Sequence, residues 1–239
     1  MTILKTTNLT KVYSGRAVVD NVDLEIKQGD VFGLIGQNGA GKTTLMRMVT
    51  SLTSISGGSI ELFGKTDAKD LQEARGRMGC VVETPAFYPN LSAVQNLEYY
   101  RIQKGIDNQQ IVTEALNTVG LGNTGKKNFS NFSLGMKQRL GLALALMARP
   151  EFMILDEPTN GLDPVGIIEM RDLIKELNNR GVTMLVSSHI LSELAHVINR
   201  YAIIHHGKLI SAGLIGDIDG NLEDFYVNTI REARSNEYR

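Results

Sequence analysis

Residues 31–49 read VFGLIGQNGAGKTTLMRMV. The stretch opens as a short, continuous apolar run, the pattern of a strand covered on both faces. It then fits G-x-x-x-x-G-K-[ST] from Gly36 to Thr43 and continues as a helical pattern, KTTLMRMVTSL. Glycines at 36, 39 and 41 let the backbone curl so that successive N–H groups point inward at phosphate oxygens. The helix N-terminus adds its partial positive charge. Lys42 supplies a mobile point charge for the β- and γ-phosphates, and the Thr43 hydroxyl supplies a ligand for Mg2+. The bland alternative is a glycine-rich turn that binds nothing, and the strand, loop and helix order argues against it.

Working outward, FMILD and VTMLVSS are further short apolar runs, so three strands should share a parallel central sheet. PVGIIEMRDLIKELNNRG opens on Pro164, closes on Gly181 and sets Ile167, Met170, Leu173, Ile174 and Leu177 on one helical face. Strands alternating with helices mean an α/β core. Near the start, TNLTKVY, AVVDNVDLEIKQGD and later GGSIELFG alternate apolar and polar positions, as half-buried antiparallel strands do. From about Leu91 to Ala148 the strand pattern gives way to consecutive helices, AVQNLEYYRIQKG, DNQQIVTEALNTVGL and GMKQRLGLALALMA. A helical lobe is thus inserted into the α/β core. The final REARSNEYR reads as a frayed, solvated tail.

Composition bounds the rest. At 239 residues, 42% hydrophobic and 21% charged, the chain can bury one substantial core, and disorder is excluded. A net charge of -1 argues against a broad nucleic-acid footprint. The one cysteine, Cys80, excludes a disulfide framework, fits a reducing cytosol, and within RMGCVVE reads as a buried strand residue. No stretch approaches a membrane span, and MTILKTTNLT lacks a signal peptide's features, so the chain is expected in the cytosol.

FMILDEPTNGLD places Asp156 and Glu157 at the end of an apolar strand. Two carboxylates there are costly unless a cation or a hydrogen-bond network receives them. Mg2+ gives the reason: Asp156 would hold the ion, and Glu157 beside it could polarise an attacking water as general base. In NFSLGMKQRL, Ser133 and Gly135 precede a helix beginning near Met136, which taken alone is an ordinary N-cap. The order of phosphate loop, helical insert, serine-glycine cap and acidic strand raises that reading.

With these residues in place, the chain resembles the nucleotide-binding subunit of ABC transporters over nearly its whole length. GQNGAGKT looks like Walker A, FMILDE like Walker B and FSLGMKQR like the signature motif. The signature departs from the usual L-S-G-G-Q, keeping only the serine and second glycine, Ser133 and Gly135. The resemblance implies that these two face the γ-phosphate bound by an opposite subunit. It further implies that Tyr13 stacks on adenine, that His189 is the switch histidine contacting the γ-phosphate and attacking water, and that Asp163 helps join two subunits. The implied nucleotide contacts are Gly36, Gln37, Asn38, Gly39, Ala40, Gly41, Lys42, Thr43 and Thr44. Glu83, within MGCVVETPAFYPNL, stands where most of the family carries the Q-loop glutamine that reaches Mg2+. That glutamate resembles the variant of the subfamily protecting bacteria from lantibiotics and bacitracin. His196, His205 and His206 match nothing.

The resulting expectation is one ABC ATPase domain over 1–239. Residues 1–90 and 149–239 would form a P-loop NTPase core with a mixed central sheet and an antiparallel β subdomain, and 91–148 a helical subdomain. Two copies would sandwich two ATP molecules with Mg2+, drive separate permease subunits at the inner face of the cell membrane, and expel or confer immunity to an antimicrobial peptide. Direct nucleic-acid contact is not expected. The rivals are a soluble ABC-type ATPase acting on nucleic acid or ribosomes, which usually needs coiled-coil inserts or two cassettes, and a P-loop kinase, for which the serine-glycine cap would have no purpose.

Overall fold

The computed structural model describes residues 1–82 and 86–237. Strands β1 (Thr2–Tyr13), β2 (Arg16–Lys27) and β4 (Gly57–Leu62) form an antiparallel sheet in the order β2-β1-β4. Lys5 of β1 pairs in register with Glu25 on one side and Glu61 on the other, placing opposite charges across both ladders.

The larger sheet runs β5 (Met78–Val81), β6 (Phe152–Leu155), β7 (Thr183–Ser188), β3 (Val31–Ile35), β8 (Arg200–His205) and β9 (Lys208–Leu214). Its first five strands are parallel and β9 is antiparallel, so the sheet is mixed. The three apolar runs are its interior, and the two-residue alternation of a strand explains their continuous hydrophobicity. Phe32, Leu34, Phe152, Ile154 and Leu185 enter a core shared with the antiparallel sheet and helix α1 (Lys42–Val49). Val31, Ile35, Met153, Leu155, Met184 and Val186 enter a second core on the opposite face.

That second core is completed by the helical segment between β5 and β6: α3 (Ala93–Gln103), α4 (Gln110–Thr118) and α5 (Leu134–Leu146). Ser92 and Gln95 close a capping box at the head of α3. The fully buried Asn96 amide ties down the incoming chain by accepting from Tyr88 N and donating to the carbonyls of Tyr88, Leu91 and Ser92. Helix α6 (Pro164–Asn179) buries Met170, Leu173, Ile174 and Leu177, with Ile167 half-buried, and Gly181 follows it at φ 94°.

Short helices α2 (Ala68–Arg75) and α7 (Leu191–Leu194) and a long one, α8 (Leu222–Glu237), complete the order. Two readings of the sequence are corrected here. Residues 231–237, read as part of a frayed tail, instead continue α8, which anchors itself through buried Leu222 and Ile230. Cys80 does lie in a strand, but its side chain is exposed, because β5 is the edge of the sheet and cover runs out beside it.

All five parallel strands point the same way, so the turns after β3, β6 and β7 gather at one end. Ile35 pairs with Ser188, and Leu155 with Val186, which brings residues 36–41, 156–163 and 189 together. In open α/β sheets this carboxyl end is where ligands bind.

Candidate functional site: a phosphate loop facing an acid pair

The loop from Gly36 to Gly41 turns sharply between β3 and α1. A Cβ at Gly36 would lie 2.5 Å from the Ile204 carbonyl, so no larger residue fits without moving β8. Gly41 caps α1 at φ 109°, a conformation open to glycine, and no side chain among the described residues takes the first-turn amides. Those amides and the helix dipole are left for an anion.

Lys42, only 5% exposed, donates to the Gly36 carbonyl at 2.7 Å and pairs with Glu157 Oε1 at 3.2 Å. The Thr43 hydroxyl donates to Asp156 Oδ2 at 2.6 Å. Asp156 Oδ1 accepts from the Ser187 hydroxyl at 2.5 Å, and Ser187 Oγ in turn accepts the Glu157 amide at 2.9 Å. Glu157 Oε2 meets His189 Nδ1 at 2.7 Å and the His189 amide at 3.3 Å. One connected network therefore joins Lys42, Thr43, Asp156, Glu157, Ser187 and His189, drawn from three turns far apart in sequence.

Glu157 holds φ 50°, a left-handed backbone that costs a residue with a Cβ on the order of 1–3 kcal/mol and so must be enforced by its surroundings. The enforcing contacts are the amide bond to Ser187 and the two-sided grip of Lys42 and His189 on its carboxylate. The site's chemistry suits a hard cation: a hydroxyl and a carboxylate lie in contact, and Mg2+ needs one or two protein oxygens plus phosphates, not a protein cage. Among the described residues no group of three or more His, Cys, Asp or Glu could hold a metal ion.

The family description ABC transporter matches residues 19–160 of this chain. The chain belongs to the ABC transporter family. It is an ATP-binding, ATP-hydrolysing subunit of the kind that family uses. The bacitracin transport ATP-binding protein BcrA of Bacillus licheniformis is 50% identical over 87% of this chain and 69% of its own length. The lantibiotic transport ATP-binding protein SrtF of Streptococcus pyogenes is 44% identical over 95% of this chain and 97% of its own. A solved structure described as the ATP binding subunit of an ABC transporter superposes with a TM-score of 0.84 at 26% identity, over 95% of this chain and 99% of that one.

Other residues singled out from the ABC motifs stand apart from the network. Ser133 is the N-cap of α5, accepting from Met136 N at 3.3 Å, so the helix starts two residues before the expected Met136. Ser133 and Gly135 share an open groove with Gly161, Leu162 and Asp163 rather than with their own phosphate loop. Asp163 caps α6, accepting from Gly166 N at 2.8 Å. Tyr13, 45% exposed at the end of β1, contacts Thr53 Oγ1 at 3.3 Å, and the Lys11 ammonium lies 4.9 Å from its ring centre. Glu83 lies outside the described residues.

Ser187 is the network residue that sequence reasoning missed. It is fully buried at the end of an apolar strand, where a hydroxyl without a partner is costly. That placement in LVSSH was the available signal. Gln138 was missed as well: its amide donates to the Asn160 carbonyl at 2.8 Å, tying α5 to the segment after the acid pair.

Proposed function

We propose that this chain is the ATPase of an exporter or immunity transporter for an antimicrobial peptide of the lantibiotic or bacitracin kind. In this reading the cassette spans 1–239, two copies sandwich two ATP molecules, and separate permease subunits hold it at the inner face of the cell membrane. The cargo class rests on the names of the relatives, BcrA and SrtF, and on their identity to this chain.

The observation that carries the catalytic part is the shared carboxylate of Glu157, pinned by Lys42 on one oxygen and His189 on the other. Arriving phosphates compete for Lys42, because a terminal triphosphate outcharges a single carboxylate. Glu157 is then freed on that side to accept a proton from water, while His189 keeps its orientation on the other. Mg2+, held by Thr43 and Asp156 when bound, supplies charge neutralisation between the phosphates. Ser187 keeps Asp156 and the Glu157 backbone at fixed spacing throughout.

Ser133 and Gly135 act across the dimer. Their separation from their own chain's network supports this, since they have no work there. The permease assignment is supported by a surface. Tyr88, Val94, Tyr99 and Ile102 are exposed around α3; the rings of Tyr88 and Tyr99 meet edge-on at 4.9 Å, Tyr99 meets Tyr100, and Tyr100 stands edge-on to buried Phe87. No helix among the described residues is long and apolar enough to cross a membrane.

The deciding experiment uses Glu157→Gln, which keeps the shape and loses the base. Turnover should fall by roughly 10²-fold or more, in the range of general-base removal, while ATP binding survives. With Mg-ATP the variant should elute as a dimer from a sizing column. A monomer that hydrolyses ATP at the wild-type rate would refute both the base and the sandwich.

A further inference from the structure

The phosphate loop is braced by a turn that lies outside the phosphate-loop, acid-pair and signature segments. His206 and Gly207 join β8 to β9, with His205 paired to Lys208 across the hairpin. The two turn residues hold φ 46° and 81°, the pair of positive values that a two-residue type I′ hairpin needs. Glycine takes such a conformation at no steric cost.

Both backbone polar groups of Gly207 reach beyond the hairpin. Its N–H donates to the Ala40 carbonyl of the phosphate loop at 3.0 Å, and its carbonyl accepts from the Asp20 amide of β2 at 2.9 Å. The lack of a side chain matters equally. A Cβ at Gly207 would stand 2.6 Å from the Val18 carbonyl oxygen of β2, and a Cβ at Gly41 would stand 2.6 Å from the same oxygen. The loop and the turn thus close on one carbonyl, and no larger residue enters at 207 unless β2 shifts or the turn leaves the loop.

The Ala40–Gly41 peptide is trans, and a trans peptide points its N–H opposite to its C=O. Anchoring the Ala40 oxygen on Gly207 therefore aims the Gly41 N–H away from the β8–β9 turn. That amide leads into the first turn of α1, where the helix end offers partial positive charge to an anion.

We propose that Gly207 is a positioning residue of the ATP site: its N–H fixes the Ala40–Gly41 peptide so that the Gly41 amide faces phosphate, and its bare Cα lets β2 back the turn. Phosphate meets that amide in the ground state and the transition state alike, so losing the hold weakens nucleotide binding and leaves the chemical step intact. This rests on residues 36–43 being the ATP site.

The test separates the hydrogen bond from the space. A backbone ester at position 207, introduced by nonsense suppression with glycolic acid, replaces the N–H by an oxygen and adds no bulk. KM for ATP should rise about tenfold, the lower end for a hydrogen bond to a charged group, with kcat within about twofold of wild type. Gly207→Ala should show at least that rise together with a lowered thermal midpoint, since it meets the Val18 carbonyl at a positive φ. The ester decides the question should Gly207→Ala fail to fold. Gly181→Ala is the control for destabilisation alone: it too places a Cβ at positive φ, 94°, but with nothing within 4 Å. Its midpoint should fall while KM stays at the wild-type value. A wild-type KM in the ester variant overturns the proposal, as does a rise in Gly181→Ala equal to that of the Gly207 variants. Lys42→Ala checks the underlying site, and if it binds ATP like the wild type, the phosphate-loop reading fails instead.

Discussion

Removing the Ser187 hydroxyl tests the acid network at its joint. The hydroxyl donates to Asp156 at 2.5 Å and accepts the Glu157 amide at 2.9 Å, and the residue has no exposed surface. A hydrogen bond to a charged group contributes about 1.5–3 kcal/mol net, and leaving a buried amide unsatisfied costs about 1–3 kcal/mol. Part of this is recovered, since Glu157 can relax from φ 50° once its amide is released, a strain of about 1–3 kcal/mol. The balance for Ser187→Ala is a destabilisation of about 1.5–3 kcal/mol, or roughly 3–12 °C in thermal midpoint for a chain of this size. The same relaxation turns the Glu157 carboxylate away from Lys42 and His189, so turnover should fall by roughly tenfold or more, as small misplacements of reacting groups do. Scanning fluorimetry and a steady-state ATPase assay read the two effects. Ser187→Cys, with a weak donor of similar shape, should fall between. A midpoint within about 2 °C of wild type, on the scale of a fraction of a kcal/mol, together with unchanged turnover would refute the claim that this hydroxyl holds the acid pair.

Three further outcomes are expected. Lys42→Ala should abolish measurable binding of a fluorescent ATP analogue, because no neutral side chain replaces a cation between phosphates and the anion site is otherwise only backbone. His189→Ala should retain that binding but lose turnover, since it removes the contact that orients Glu157 Oε2 without touching the loop, and single-turnover hydrolysis measures it. Gly161→Ala should lower the thermal midpoint by a few degrees: it imposes a Cβ at φ 73°, worth about 1 kcal/mol or more, and places that Cβ 2.7 Å from Leu134 Cδ2. The same variant should bind ATP normally.

What the sequence disclosed depended on how local the signal was. Residues 31–49 carry strand, loop and helix in one window, and the interior strands declare themselves because both faces of each are covered. The acid pair was legible because two carboxylates closing an apolar strand need partners, and the structure supplies Lys42, Thr43, Ser187 and His189. Ser187 was not, since its partners Asp156 and Glu157 lie some thirty residues away and only the fold brings them together. Cys80 was misread because an edge strand obeys the same alternation as an interior one while missing cover on one side. Helix α8 had a readable pattern, with Leu222, Phe225, Tyr226 and Ile230 at helical spacing behind the Asn221 cap, but the charged run RxxRxxExR that follows masks it as solvated tail. Residues 231–235 are indeed mostly exposed; the buried stripe lies earlier.

The altered signature shows how a motif departure can be absorbed elsewhere. In L-S-G-G-Q the first glycine has no side chain to place, whereas here that position is Leu134, half of whose surface is exposed. Its inner methyl lies over Gly161, so closely that a Cβ on residue 161 would stand 2.7 Å away, which makes the glycine in NGLD the counterpart of the leucine in SLGM. The retained glycine, Gly135, faces a comparable limit, because a Cβ there would reach 3.3 Å from Leu162 Cδ2. Gln138, one turn further along α5, then fixes the pair by donating to the Asn160 carbonyl. Three contacts from α5 to residues 160–162 thus fasten the head of the helix to the segment that leaves the acid pair. The serine-glycine edge that a second copy would meet is consequently seated on the same turn that carries Glu157, and a shift of Glu157 has a short, packed route of apolar and hydrogen-bonded contacts to that edge.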